Sequence, residues 1–320
     1  MTIQEFKSKL DIPLIVSPMF LVSSVQLITE SCKHGIAAVY PSLNGRTTDE
    51  FEKVLIEINH ELEKEKKHTN KVPAPFGVNI IVNKNNQRAL ADLEICIKYK
   101  VPFVVTSLGS AKEIVDKVHH YGGLVFHDVI KKRHAEKAAE SGVDGIIVVC
   151  AGAGGHAGTA NPFALISEIK KFYNGAIILA GGINKGNDIL AAQNMGADFA
   201  YMGTRMIATE ESLASKEYKQ LLIESSIDNI VYTNQVSGVH ANFIKQTLIN
   251  HGIDFHSTNS LSTDKLSETK HKAWKNIWSA GHAVAGIHSI LKVKDLIQQL
   301  KMEYKNQLIK NNEILKQLNF

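Results

Sequence analysis

Through the N-terminal two-thirds of the chain, short apolar runs alternate with longer stretches whose apolar positions recur at helical spacing. The runs cover residues 13–19, 36–40, 75–82, 103–107, 124–128, 145–149, 176–180 and 198–202. They lack the apolar–polar alternation of a half-exposed sheet, so they predict strands buried on both faces, as in parallel sheets covered by helices. The stretches between them predict helices over 24–34, 48–68, 87–99, 111–121, 131–141, 162–172 and 188–195. Eight strands with helices between nearly all of them predict an α/β fold, a (β/α)8 TIM barrel, which typically takes about 250 residues. A doubly wound open sheet would carry G-x-G-x-x-G after its first strand. Pro18-Met19-Phe20-Leu21 stands there instead.

The rhythm breaks over residues 213–278. A helix over 216–225, a short strand over 230–233, a helix over 242–251 and a polar, Ser/Thr-rich loop over 255–269 predict a smaller, mainly helical inserted domain. The barrel then comprises residues 1–212 and 279–320, with a last barrel helix over 281–300 and a polar C-terminal helix over 303–318.

Composition changes this picture little. With 44% hydrophobic and 21% charged residues, the chain is of ordinary globular type. A net charge of +4 is too small to point to nucleic acid. Cys32, Cys96 and Cys150 lie far apart and form no C-x-x-C pair, which excludes a disulfide framework and a cysteine zinc site and fits a reducing compartment. The first residues lack the basic-then-apolar pattern of a signal peptide, and no apolar run has the length of a membrane span. The expectation is a cytoplasmic protein without membrane contact; the oligomeric state is left open, a homodimer among the options. No H-E-x-x-H or similar spacing occurs, so no metal is expected. His34, His60, His68, His119, His120 and His134 fall on predicted helices or their ends and are expected at the surface.

Candidate chemistry gathers where the predicted strands end, the face on which barrels bind ligands. These ends are Pro18-Met19-Phe20, Asn79, Thr106-Ser107, His127-Asp128, Ala180-Gly181-Gly182-Ile183 and Met202-Gly203-Thr204-Arg205. The most distinctive follows the sixth strand: Val149-Cys150-Ala151-Gly152-Ala153-Gly154-Gly155-His156-Ala157-Gly158. Glycine allows close approach of backbone to a ligand, and His156 is the loop's only side chain suited to acid–base chemistry. A flexible connector with an incidental histidine is the plain alternative. Gly181-Gly182 after the seventh strand and Gly203-Thr204 after the eighth offer amides at predicted helix starts, where phosphate binds in many barrels.

Together with Ser17-Pro18-Met19, Phe76-Gly77-Val78-Asn79, Gly196-Ala197-Asp198 and Trp278-Ser279-Ala280-Gly281, these stretches resemble the signatures of the nitronate monooxygenase (2-nitropropane dioxygenase) family, in the family's order and across nearly the whole chain. The resemblance implies a barrel binding FMN, with the smaller domain capping it. It implies flavin contacts from Pro18, Met19, Phe20, Asn79, Asp128 and Ala180, a phosphate site at Gly181, Gly182, Gly203 and Thr204, and close approach by Gly154 and Gly155. His156 would then be the catalytic residue, with Ser279 and His282 at the substrate pocket. Some relatives place a lysine after the fifth strand, where His127-Asp128 stands, and many a glutamine or another uncharged residue where His282 stands. The implied reaction is oxidation of an alkyl nitronate, or a nitroalkane, by O2 to a carbonyl compound and nitrite. His156 could remove the α-proton of a nitroalkane or hold the anion in place. Two alternatives are an NAD(P)H-dependent flavin reductase of a quinone or enoyl thioester on the same fold, and a phosphate-binding barrel without flavin.

Overall fold

The computed structural model describes residues 1–83, 85–257 and 274–318. Eight parallel strands close into a barrel: β1 (Leu14–Val16), β2 (Ala37–Pro41), β3 (Phe76–Ile81), β4 (Phe103–Ser107), β5 (Leu124–Val129), β6 (Gly145–Val149), β8 (Ala176–Ala180) and β9 (Phe199–Met202). The predicted TIM barrel is therefore the observed architecture. A short strand, β7 (Gly155–His156), leaves the barrel between β6 and β8. Closure is made by β9 against β1, with Leu14 opposite Ala200 and Val16 opposite Met202.

Each barrel strand is buried on both faces, which explains the unbroken apolar runs. Ile15, Val39, Val105, Phe126, Ile147, Ile178 and Tyr201 pack inside, while Val16, Ala38, Val104, Val125, Ile146 and Leu179 pack outward among the helices. The surrounding helices are α2 (Val25–Lys33), α3 (Thr48–Thr69), α4 (Ala89–Lys98), α5 (Lys112–His120), α6 (Lys132–Glu140), α7 (Pro162–Ile169) and α8 (Gly186–Asn194). A helix absent from the sequence reading, α1 (Ile3–Ser8), opens on a Thr2–Glu5 capping box. It inserts Phe6 into the bottom of the barrel, edge-on to Phe103, Phe126 and Phe199 at centroid distances of 5.1, 5.6 and 5.4 Å. This aromatic plug fills the N-terminal end of the barrel.

After β9 come α9 (Thr204–Ile207), α10 (Lys216–Glu224), β10 (Ile230–Thr233), β11 (Ala241–Ile244) and α11 (Lys245–Asn250). The helix expected over 242–251 is thus a strand followed by a shorter helix. β10 and β11 pair antiparallel, and β11 also pairs with β7, Ala241 opposite His156 and Asn242 opposite Gly155. The glycine loop is therefore stitched to the capping segment by main-chain hydrogen bonds. Most of the loop expected over 255–269 lies outside the described residues. At the C-terminus, His282–Gly286 form a 3-10 turn and α12 (Val293–Gln317) runs unbroken for 25 residues. The two helices expected there are one, because no glycine or proline interrupts the stretch around residue 301.

Candidate functional site

The plugged barrel leaves its C-terminal mouth as a cavity of about 1410 Å³. Ordinary small-molecule pockets span roughly 300–1,000 Å³, so this one has room for a cofactor-sized molecule and a substrate together. Pro18, Met19 and Phe20 line it after β1, Asn79 in β3, Asp128 in β5, Ala180-Gly181-Gly182 at and after β8, and Gly203-Thr204 after β9. Gly154, Gly155, His156 and Ser279 line it from the glycine loop and the segment beneath the cap.

The glycine loop is held from three sides. Gly155 N–H donates to Ser279 Oγ at 2.6 Å, and Ser279 Oγ donates to the Asn242 carbonyl at 2.7 Å. Asn242 Nδ2 donates to the Ala153 carbonyl at 2.6 Å. Thr204 Oγ1 accepts from Gly281 N–H at 2.9 Å, tying the loop's neighbour to the top of β9. Gly281 packs so closely that a Cβ there would come within 2.6 Å of the Gly154 amide. Ser279 thus both faces the cavity and fixes the loop.

On this support His156 turns its ring into the cavity, and its Nε2 is buried without a hydrogen-bond partner. Burial lowers its pKa below the ordinary histidine value, so the ring is neutral at pH 7. Trp274 meets it edge-on, ring centroids 5.5 Å apart. The Trp274 backbone stands at φ +67, a conformation that costs a bulky residue of order 1–3 kcal/mol and persists only where the surroundings impose it.

Towards the C-terminal ends of β3, β4, β5 and β9 a second polar set faces the cavity. Asn79 Nδ2 donates to Ser107 Oγ at 2.9 Å, and Ser107 Oγ donates to Asp128 Oδ2. Asp128 Oδ1 and the Tyr201 hydroxyl are buried without partners. Burial pushes the Asp128 carboxyl up to about 6, with Ser107 opposing the shift, and drives the Tyr201 phenol well above its ordinary range. Leaving a buried polar group unpaired costs about 1–3 kcal/mol. Three such atoms around one cavity fit a planar ligand carrying polar groups, the kind of molecule a flavin is.

The helix start expected at Gly181-Gly182 for phosphate is not there. Gly181-Gly182 does not open a helix: α8 begins at Gly186, and its first amides are already satisfied. Asp188 Oδ2 accepts from the amides of Asn184 and Lys185, and Glu303 Oε2 from that of Gly186. Those carboxylates would repel phosphate. The Gly181-Gly182 turn itself stays free to bind, since a Cβ at Gly182 would meet nothing within 4 Å, and its φ of +73 favours glycine.

His282 does not line the cavity. Its amide donates to the Gly152 carbonyl at 2.9 Å and its exposed ring backs the glycine loop from outside. His134, expected at the surface, is half-buried and lines a lateral arm of the cavity beside His127. Residues that the sequence reading missed are Ser107 as a partner of Asp128, Tyr201, Tyr232, His240 and Trp274. Tyr232 stacks on His240 at 4.9 Å and donates through its hydroxyl to the Ala157 carbonyl. Among the described residues, no group of three His, Cys, Asp or Glu is placed to hold a metal ion, and no helix is long and apolar enough to cross a membrane.

The profile of the nitronate monooxygenase family matches residues 47–303, most of the chain. The chain belongs to the nitronate monooxygenase family. Among its relatives is a probable nitronate monooxygenase of Staphylococcus haemolyticus, 27% identical over 62% of this chain and 62% of that one. Another is a (3aS,4S,5R,7aS)-5-hydroxy-7a-methyl-1-oxo-octahydro-1H-indene-4-carboxyl-CoA dehydrogenase of Mycobacterium tuberculosis, 25% identical over 74% of this chain and 64% of that one. The matches thus span less than two-thirds of these curated relatives' length. FabK from Thermotoga maritima shares the fold, with a TM-score of 0.83, 22% identity and 98% of both chains covered.

Proposed function

We propose that this member of the nitronate monooxygenase family is an FMN-dependent oxidoreductase that oxidises alkyl nitronates, or the parent nitroalkanes, with O2 to a carbonyl compound and nitrite. The single observation that carries the reading is the buried, unpartnered Nε2 of His156, held over the barrel mouth by a loop of glycines that a flat ligand can approach closely.

The residues fit the group. Pro18, Met19, Phe20, Asn79, Asp128, Ala180, Gly154 and Gly155 would surround the ring, and Gly181, Gly182, Gly203 and Thr204 would hold the phosphate. When bound, FMN supplies the redox chemistry, and the protein supplies orientation, charge and exclusion of water. His156, kept neutral by burial, accepts the α-proton of a nitroalkane on Nε2 and thereafter lies beside the nitronate as its counter-ion. Ser279 and Asn242 fix the backbone that carries the imidazole, and Trp274 limits its rotation. The cap walls the substrate with Tyr232, His240 and Trp274. We place the enzyme in the cytoplasm.

The purified protein should be yellow, release FMN on heat denaturation, and liberate nitrite from ethylnitronate in air. A colourless protein that does not take up FMN contradicts the reading. A relative named as a dehydrogenase of a CoA ester supports redox chemistry on a thioester as a second reading, with an NAD(P)H-dependent flavin reductase of a quinone or enoyl thioester as its form on this fold. The choice of electron donor separates the two.

A further inference from the structure

The direction of one hydrogen-bonded chain fixes which oxygen of Asp128 is free. Asn79 Nδ2 donates to Ser107 Oγ, leaving the serine hydroxyl to donate onward to Asp128 Oδ2. Oδ2 is therefore an acceptor. Oδ1 points into the cavity wall, buried and without a partner. The Tyr201 hydroxyl, also unpartnered, lines the same cavity.

Lys112, His134, Lys137 and Glu140 share this cavity, but none of them acts on the Asp128 carboxyl. On β4 its neighbour is Ser107, on β6 the aliphatic Ile147, on β9 Tyr201, and the glycine loop brings a neutral His156 to the cavity. His127, next along β5, faces away and binds Thr106 at 2.7 Å through Nδ1. Among the groups acting on the Asp128 carboxyl, burial opposes its charge and Ser107 alone favours it. A ligand filling this cavity replaces the solvent beside Asp128, and Oδ1 itself is already out of reach of water. An ionised oxygen stranded there is strongly penalised, whereas a protonated one offers a donor to the ligand.

On the assignment of FMN to this cavity, we propose that Asp128 carries a proton on Oδ1 in the cofactor-bound protein and donates it in a hydrogen bond to the cofactor, so that binding FMN takes up one proton from solvent. Oδ2 keeps its bond from Ser107 throughout. A buried carboxylic acid held neutral as a hydrogen-bond donor is known chemistry at enzyme sites. Asparagine reproduces this arrangement, its carbonyl accepting from Ser107 and its amide donating into the cavity, whatever the pH.

The test is calorimetric titration of FMN into the apoprotein at pH 7, in buffers of differing ionisation heat, for wild type and Asp128→Asn. The phosphate of FMN titrates near the same pH, so the difference between the two proteins is what counts. Wild type should take up close to one proton more per FMN than the variant. Its affinity relative to the variant should fall by up to tenfold per pH unit above about 6, and at pH 8 Asp128→Asn should bind at least as tightly as wild type. Equal proton uptake, or a variant that binds FMN tenfold or more weakly at pH 8, would mean an ionised Oδ1 accepting from the ligand and overturns the proposal. Failure of wild type to bind FMN overturns the cofactor assignment itself.

Discussion

The imidazole of His156 stands edge-on to the Trp274 indole, centroids 5.5 Å apart and planes at 89°. The histidine lies on a two-residue strand paired with β11, and the tryptophan packs in turn on Phe243 of that same strand at 5.3 Å. The cap therefore sets both the position of the imidazole and the direction in which Nε2 points. Such an aromatic contact contributes about 0.5–1.5 kcal/mol. Trp274→Ala should lower kcat for nitroethane by up to about tenfold while FMN content is unchanged, as steady-state kinetics and the absorbance ratio would report. Loss of FMN from that variant would show that Trp274 serves the cofactor instead.

His156→Asn removes the proposed base and keeps a polar side chain in its place. General acid–base catalysis contributes about 10²–10⁴-fold, so turnover of neutral nitroethane should fall by that range and turnover of preformed ethylnitronate by much less. Because burial lowers the His156 pKa, the wild-type rate with nitroethane should hold its plateau below pH 6.5 before the acid limb sets in. Equal losses on both substrates would assign His156 to binding the anion.

Much of this was legible in the sequence, for a physical reason. Barrel strands are covered on both faces, so they write themselves as contiguous apolar runs, and the mouth residues follow directly from where those runs stop. Pairing between distant segments leaves no such mark. Ala241–Ile244 joins a strand supplied by Gly155–His156, too short and glycine-rich to show a period, so it reads as the start of the helix that follows. Tyr201 looks like one more apolar strand residue; only the barrel register turns its hydroxyl inward beneath the cavity. The α8 N-terminus misleads because Asp188 and Glu303, one local and one from α12, already fill it.

The Asp128 carboxyl, raised from 3.8 to about 6 by burial, makes a sign-definite prediction for the protein without cofactor. An acid whose folded pKa lies above its unfolded one favours the fold when protonated, and that stability is lost as pH rises from about 4 to about 6. A shift of this size corresponds to roughly 3 kcal/mol. Asp128→Asn should therefore raise urea stability by up to about 3 kcal/mol at pH 8 and by little at pH 4. A gain confined to pH 4 would contradict the burial account.

Gly182 offers a test of the phosphate end. Alanine there meets no protein atom, so Gly182→Ala should cost only about 1 kcal/mol of fold stability, from its φ of +73. If the turn holds the phosphate, the same methyl group should weaken FMN binding tenfold or more, read by flavin fluorescence. Riboflavin, which lacks the phosphate, should lose far less.

The barrel floor makes a separate prediction about folding. Phe6 is fully buried against three phenylalanines, and Phe6→Ala should destabilise the protein by about 3–5 kcal/mol. Chemical denaturation would measure it, and a loss below 1 kcal/mol would show that the plug is dispensable.

The most direct test of the central claim is an anaerobic titration of the purified protein loaded with FMN, followed at the long-wavelength flavin absorbance band. Alkyl nitronate should bleach that band within the mixing time, NADH and NADPH should leave it unchanged, and readmitted O2 should restore it. Bleaching by NADH or NADPH but not by nitronate would contradict nitronate oxidation and assign the cavity to a pyridine-nucleotide-dependent reductase.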